Sequence, residues 1–391
     1  MGLCTIVFVL VLLINVTKIV SNTISTYAGY GTTGSDCSGS TCSATSVGLS
    51  YPSGVCLDTS NNLYVVDTLN SKVRKVTTTG IISTVLGGGA IYQNGAAGIS
   101  SSMFYPKGCT VYNSELYVAD TNFNTIRKLT STGLVYTVAG TYTNSGATGD
   151  GGTATSAKLY YPYDVSFASN GDYYIADYNN YKIRKVTAST KIISTFCGSP
   201  TTSAGTSGYT GDGGYCTSAT FNRPYAVEVD AANNVYIADY TNNVIRKVDG
   251  TTQIVTTIIG NGNAWTSGGG EGAAGTSTTI WYAGGLALDS SNNVYFSDYT
   301  NNVVRVYKSK TRTVNTFAGV YDSGTNQYSG DGGAATSARL NKPTAIALDS
   351  SSNVYICDTY NYVVRKVTQP SYTLSTNSPS SGPPTRSPTL R

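Results

Sequence analysis

Short apolar segments, broken by Gly, Asn, Asp, Ser and Thr, recur along the whole chain. Six of them share one pattern: NLYVVDTLNSKVRKV, ELYVADTNFNTIRKL, DYYIADYNNYKIRKV, NVYIADYTNNVIRKV, NVYFSDYTNNVVRVY and NVYICDTYNYVVRKV. Each holds a Tyr (Tyr64, Tyr117, Tyr174, Tyr236, Tyr295, Tyr355) and, three residues on, an Asp (Asp67, Asp120, Asp177, Asp239, Asp298, Asp358). Seven residues beyond each Asp stands an Arg: Arg74, Arg127, Arg184, Arg246, Arg305 and Arg365. Repetition at this length is the signature of a repeat architecture.

Four strands are predicted per repeat. In the first repeat strand a is Gly54 to Asp58, strand b Leu63 to Asp67, strand c Lys72 to Val76 and strand d Ile81 to Gly87. Strand b is apolar nearly throughout, as expected of a strand covered on both faces. The a–b turn carries Asn62, Gly171, Asn234, Asn293 and Asn353, residue types that tolerate a left-handed turn. The pattern predicts an all-β, six-bladed β-propeller of four-stranded blades.

Strand d follows repeats 1 to 5, ending at Gly87, Gly140, Gly198, Gly260 and Gly319, but repeat 6 stops at Val367 without one. ISTYAG (Ile24 to Gly29) precedes repeat 1 and matches NTFAG (Asn315 to Gly319). The N-terminal strand is therefore expected to pair with the last repeat, closing the ring and removing a bare sheet edge. The propeller should span residues 23–368.

Composition narrows the chemistry. Charged residues make up 12% and the net charge is +4, which does not suggest nucleic acid or an anionic membrane as the main partner. The absence of histidine excludes His-based acid–base catalysis, Ser-His and Cys-His nucleophiles and His-ligated metals. An apolar run from Ile6 to Ile14 is too short to span a bilayer and reads as part of a signal peptide over residues 1–22, with a signal anchor as the rival. Residues 369–391 are rich in Pro, Ser and Thr and too poor in apolar side chains to fold. With no apolar tail following, the mature chain is expected to be secreted, without membrane insertion.

The chain resembles the NHL-repeat β-propellers. YIADYTNNVIRKV (Tyr236 to Val248) stands close to the family's core pattern, and the linker GDGG-x-A-T-S-A-x-L occurs at Gly149 to Leu159 and Gly330 to Leu340, with a variant at Gly211. The departures are Phe123, where other repeats have Asn, and Trp281-Tyr282-Ala283, where others have Pro before strand a. The resemblance implies the fold; the family includes RNA binders, adhesion modules, receptor sensors and a few enzymes.

A residue present in every blade serves the architecture, so the Tyr–Asp–Arg set is read as structural: Asp accepts hydrogen bonds from the b–c turn and Arg pairs with an Asp. Functional residues should break the symmetry. In a propeller the d–a and b–c loops share a face, which is expected to offer Asp150, Asp212, Glu271 and Asp331 beside Tyr178, Tyr240 and Tyr299. Tyr suits a protein or glycan partner. The GDGG aspartates read as caps of their own loops, with calcium as the alternative; otherwise no metal or cofactor is expected. Glu228 stands in strand a where other blades have Cys56, Thr110, Ser166, Ala287 and Ala347. It is either a ligand group beside the channel or a satisfied polar core residue. Cys37 with Cys42, and Cys197 with Cys216, are candidate disulfides. Cys56 and Cys109 are free or bonded to each other, and Cys357 is a small core residue.

These readings predict a secreted or cell-surface recognition propeller without catalysis, its partner an extracellular protein or glycan and not a nucleic acid. The rivals are a calcium-dependent hydrolase or lactonase, and the sensor domain of a larger protein.

Overall fold

The computed structural model describes residues 22–34, 42–199, 207–263, 270–321 and 328–369. The segments read as a signal peptide and a tail, and Cys37, lie outside them except for Asn22 and Gln369. Six antiparallel sheets form a propeller, with strand a innermost and strand d outermost in each. Blades 1 to 5 occupy residues 52–87, 109–139, 162–197, 224–259 and 283–318; blade 6 combines residues 343–368 with 23–28. Each strand a packs on the strand a of the next blade, and that of blade 6 on that of blade 1.

The N-terminal strand, Thr23–Ala28, runs antiparallel to Val363–Thr368, setting Ile24 against Val367 and Thr26 against Arg365. Ile24 is fully buried in a cluster with Val354, Phe317 and Val367. The ring is closed as the missing strand d predicted.

The linkers between blades behave differently from the expectation. They touch the b–c turns, where Asn180 donates to Gly146 O (2.7 Å) and Asn242 to Gly208 O (2.6 Å), and then descend the outer edge. In blades 1, 2 and 5 a two-residue strand pairs with strand d (Cys42–Ser43, Ala96–Ala97, Ala273–Ala274). Blades 3, 4 and 6 have single bridges at the same place. The linker before blade 3 bonds both neighbours: Gly140 of blade 2 donates to Ala154 O (2.9 Å), and Gly151 donates to Ile193 O of blade 3 (2.9 Å). Each blade's outer edge is thereby covered.

The repeated Asp and Arg sit at the centre of this arrangement. All six aspartates are fully buried, and the arginines are at most 3% exposed. In every blade Asp accepts from a backbone N–H ahead of strand a, as Tyr160 to Asp177 (2.7 Å) and Asn222 to Asp239 (2.7 Å). In five blades an Asn of the b–c turn also donates to it, as Asn180 to Asp177 (2.7 Å). Arg184 Nη1 lies 3.3 Å from Asp177 of its own blade, while its Nη2 reaches Asp150 of the linker at 2.5 Å. Asp150 in turn accepts from Thr195 of strand d (2.7 Å). Arg246–Asp212, Arg305–Glu271 and Arg365–Asp331 repeat the linker pair. The linker carboxylates thus clasp strand c and strand d, where turn capping was expected. Burial pushes Asp177, Asp298 and Asp358 up to about 6, and Asp239 up to about 7, with the facing arginines opposing the shift.

Blade 2 departs from this scheme. Phe123 replaces the turn Asn, and Asp120 Oδ2 has no hydrogen-bond partner among the described residues. Asn94 takes the place of the linker carboxylate, accepting from Thr137 N (2.8 Å) as Asp212 does from Thr257 N (2.9 Å). No nitrogen of the Arg127 guanidinium has a described hydrogen-bond partner, and the Tyr92 ring lies 4.0 Å over it.

Two outcomes are expected. Removing residues 23–28 exposes strand c of blade 6 and the pocket of Ile24, a side chain worth roughly 1.5–3 kcal/mol against a total of about 5–15 kcal/mol. The truncated chain should melt well below the intact one and associate in sedimentation; a monomer melting like the intact chain contradicts ring closure by this strand. Asn94→Asp gives Arg127 the linker carboxylate that Arg184, Arg246, Arg305 and Arg365 have. It should raise stability by about 1–2 kcal/mol, and a lower melting temperature would contradict the clasp.

Candidate functional site

Every blade enters strand a through a residue with left-handed backbone: Tyr51, Tyr105, Tyr161, Arg223, Tyr282 and Lys342, with φ between 49° and 63°. Bulky side chains rarely take this conformation, and each costs of order 1–3 kcal/mol. The preceding blade holds it in place. The backbone N–H groups of Tyr161, Tyr282 and Lys342 donate to Asn124, Asn243 and Asn302 Oδ1 at 2.8–3.0 Å. The side chains lean back over the preceding b–c turn. Tyr282 stacks on Tyr240 (4.5 Å), Arg223 lies over Tyr178 (5.8 Å), and Lys342 over Tyr299 (5.8 Å) and Tyr360 (4.6 Å).

The first residue of the b–c turn is Thr in blades 1, 2 and 6. Its hydroxyl staples the next blade: Thr68 to Pro106 O (2.9 Å), Thr121 to Pro162 O (2.8 Å) and Thr359 to Pro52 O (2.8 Å). Blades 3, 4 and 5 have Tyr178, Tyr240 and Tyr299 there, so these three junctions lack the threonine staple, although at the last of them Ser297 Oγ donates to Thr344 O instead (2.6 Å). The three rings come together at the mouth as the sequence suggested, with centroids 6.4 Å and 6.2 Å apart in succession. Tyr163 and Tyr225 on strand a extend the wall inward: Tyr163 stacks on Tyr178 (3.9 Å), Tyr225 on Tyr240 (5.2 Å), and the two meet edge to face (5.1 Å). The result is a crescent of six tyrosines over blades 3 to 5.

Below it the strands a line a narrow cavity of about 30 Å³ around the axis. Its walls are mostly small because neighbouring strands approach closely: a Cβ at Gly54 would lie 2.1 Å from Lys107 O. Three ionisable groups break the rule, one each from blades 2, 3 and 4: Lys107, Asp164 and Glu228. Glu228 accepts from Ser166 Oγ (3.0 Å), and Asp164 from Val227 N (3.1 Å). Asp164 fits because Gly108 has no side chain; Asp164 Oδ1 lies 2.3 Å from where a Cβ would stand. Desolvation pushes Glu228 up to about 7, and desolvation with the nearby Glu228 raises Asp164 well above the usual carboxylate range. Burial lowers Lys107 to about 8. Cys56 and Cys109, which the sequence left open, form a disulfide between blades 1 and 2 on this wall.

Of the carboxylates named from the sequence, only Glu228 lines this cavity. Asp150, Asp212, Glu271 and Asp331 lie on the outer edge in their arginine clasps and do not join the tyrosines. Asp164, Lys107, Tyr163, Tyr225 and Tyr282 were missed. The same internal comparison could have found them: Asp164 stands where other blades have Gly54, Gly108, Ala226, Gly285 and Ala345. The Cys197–Cys216 disulfide forms, Cys42 is disulfide-bonded, and Cys357 is free and buried. Among the described residues no group of three or more His, Cys, Asp or Glu side chains could hold a metal ion, and no helix is long and apolar enough to cross a membrane.

Comparison with known proteins returns the NHL repeat as the matching family model, over residues 49–76. The chain is 25% identical to NHL repeat-containing protein 2 of Bos taurus over 81% of its length and 46% of that protein's. It is 27% identical to the chloroplastic protein SUPPRESSOR OF QUENCHING 1 of Arabidopsis thaliana over 59% and 22%. It thus spans less than half the length of these curated relatives. Among solved structures it resembles an auxiliary nutrient binding protein of Bacteroides thetaiotaomicron (TM-score 0.62, 16% identity, 88% of this chain and 76% of that one). A gluconolactonase of Xanthomonas campestris is more distant (TM-score 0.52, 10% identity, 83% and 87%). These two share the fold.

The acid in the channel makes a testable demand on stability. Below about pH 4.5, the ordinary Glu value, Glu228 is protonated folded and unfolded and contributes nothing. Between there and about pH 7 only the unfolded chain ionises, so stability falls as pH rises. Glu228→Gln should therefore leave stability unchanged at pH 4 and raise it at pH 8 by up to about 3 kcal/mol. Equal denaturation midpoints of the two proteins at pH 8 would contradict a desolvated carboxyl.

Proposed function

We propose that this chain, an NHL-repeat β-propeller, is a secreted or cell-surface recognition module that holds a protein or glycan partner on the tyrosine crescent. One observation carries this reading. Three successive blades replace the threonine that staples blade to blade with a tyrosine at the mouth. A structural hydrogen bond worth about 0.5–1.5 kcal/mol is forgone at the first two of these junctions, and what stands in the threonine's place at all three is aromatic surface. Tyrosine supplies rigid contact area at little entropic cost, and the strained entry residues add Tyr282, Arg223 and Lys342 to the same rim. The disulfides Cys56–Cys109 and Cys197–Cys216 support an oxidising compartment.

A hydrolase reading draws on Asp164 and Glu228, two non-repeated carboxyl groups with raised pKa in one cavity. Calcium-dependent chemistry finds no three-ligand set of acidic side chains among the described residues. Recognition accounts for the crescent as well as the cavity, and is preferred.

The other blades supply the substitutions that test this. Tyr178→Thr, Tyr240→Thr and Tyr299→Thr install the residue of blades 1, 2 and 6. Each should melt within a few degrees of the parent, because the regained staple offsets the lost ring. The triple variant should lose at least tenfold in retention of partners captured from extracellular extracts or a glycan array. Tyr215→Ala, at an outer-edge residue 65% exposed, should bind as the parent does. Undiminished binding by the folded triple variant would refute the crescent as the recognition face.

A further inference from the structure

We propose that the tyrosine crescent binds an extended acidic peptide segment of an extracellular protein, its carboxylates meeting Lys107 and Arg223 at one end and Lys342 at the other; this rests on the mouth being the recognition face. The mouth carries cations without answering acids. The chain enters strand a through Tyr51, Tyr105, Tyr161 and Tyr282 in four blades, but through Arg223 and Lys342 in blades 4 and 6. Lys107 stands where other blades have Ser53, Tyr163, Tyr225, Gly284 and Thr344. No Asp or Glu occurs in the b–c turns (residues 68–71, 121–124, 178–181, 240–243, 299–302 and 359–362), nor from each left-handed entry residue to two residues beyond it. Among the described residues none of the three cations lies within ion-pair distance of a carboxylate. At the a–b turns, on the opposite face, Lys75, Lys128, Lys185 and Lys366 each pair with a carboxylate at 2.9–3.9 Å. The contrast marks the mouth as a surface complementary to negative charge.

The aromatic surface sets the form of the ligand. Tyr178, Tyr240 and Tyr299 follow one another at 6.4 Å and 6.2 Å. Two residues of a polyproline II helix or a strand span roughly 6.2–6.8 Å. Alternate side chains of an extended segment can therefore each meet one ring, as extended peptides do in aromatic grooves. Lys107 Nζ lies 5.9 Å from the Tyr163 ring and the Arg223 guanidinium 5.8 Å from the Tyr178 ring, and these two rings stack on each other (3.9 Å). Lys342 Nζ lies 5.8 Å from Tyr299 and 4.6 Å from Tyr360. Cations thus stand at both ends of the crescent, each held against a ring, so the segment should carry Asp or Glu on both sides of a short uncharged middle. The acids of the channel and the linkers do not oppose this. Asp164 and Glu228 are bonded to Val227 N and Ser166 below the mouth, where desolvation favours their neutral forms. Asp150, Asp212, Glu271 and Asp331 face arginines at the outer edge.

The probes are labelled decapeptides with Asp at both ends and Leu, Pro and Tyr between, their counterparts with Asn or Lys in place of Asp, and labelled oligouronates as acidic glycans. Binding is read by fluorescence anisotropy. The proteins are the parent, Arg223→Tyr, Lys342→Tyr, Lys107→Ser and the Tyr178/Tyr240/Tyr299→Thr triple variant. The single substitutions install residues that other blades carry, so the fold should persist, as melting and circular dichroism can verify. The Asn peptides test the same charges with the protein unaltered. Acidic peptides should bind the parent at least tenfold more tightly than the Asn peptides, and weaken at least tenfold between about 50 and 500 mM salt. Each single variant should lose at least threefold in affinity for the acidic peptides and keep its affinity for the Asn peptides; the triple variant should lose both. Acidic peptides that bind no better than Asn peptides, or single variants within twofold of the parent while the triple variant fails, overturn the acidic segment and leave the mouth standing. Tighter binding of the Lys peptides overturns the sign of the charge. Oligouronates that bind where no acidic peptide does overturn the peptide and keep the recognition face. A parent that binds none of these probes, but captures an extracellular partner lost by the triple variant, does the same. Acidic-peptide binding unaffected by every variant overturns both.

Discussion

Each blade is organised around a guanidinium that water cannot reach. A buried charge must be matched by partners, and the way Arg184 is matched determines the arrangement around it. Asp177 answers it from strand b and, through Tyr160 N and Asn180, orders the entry of strand a and the b–c turn. Asp150 answers it from the linker and draws that linker down the outer edge, where Thr195 of strand d completes the clasp. The blade-to-blade connection is thus positioned by the same side chain that holds strand c. In blade 6 the N-terminal strand joins the scheme through Thr26, which donates to Asp331 (2.7 Å) while Arg365 reaches the other oxygen (2.7 Å).

Because this scheme repeats, the molecule contains its own controls. Where one blade departs from five others, the departure needs a separate reason. At the mouth, three departures fall on consecutive blades and replace a staple by an aromatic ring. In the channel, three more fall on blades 2, 3 and 4 and put ionisable groups among glycines and alanines. Blade 2 adds a different case. Phe123 and Asn94 remove two of the usual polar partners, and Tyr92, Phe104, Phe123 and Tyr142 fill the region with touching rings. Phe104 and Tyr142 are exposed there. Aromatic packing has replaced part of the hydrogen-bond network in this blade alone.

The legible part of the site follows from the same logic. Tyr178, Tyr240 and Tyr299 directly follow a strand whose register repeats six times, so their common height on one face could be inferred from spacing. Glu228 was found by comparing one strand a position across blades. Asp164 lies two residues nearer the chain start within the repeat's own register than the Glu228 column, and its significance depends on Gly108 of the neighbouring blade leaving space for it.

What the sequence determined by itself was periodicity: six copies of one strand pattern, five copies of a fourth strand and a sixth moved to the N-terminus. A closed ring follows because a sheet edge left unpaired is unstable, and that argument needs no coordinates. The route of the linkers was decided only in three dimensions. Spacing places Asp150, Asp212, Glu271 and Asp331 in long d–a loops but cannot tell whether those loops rise to the mouth or descend the rim. That choice belongs to the buried arginines, whose unmet charge pulls a carboxylate inward from 34 residues away in sequence. Likewise, the meeting of Lys107, Asp164 and Glu228 in one cavity, and the bond between Cys56 and Cys109, come from blade-to-blade packing around an axis, which no single repeat encodes.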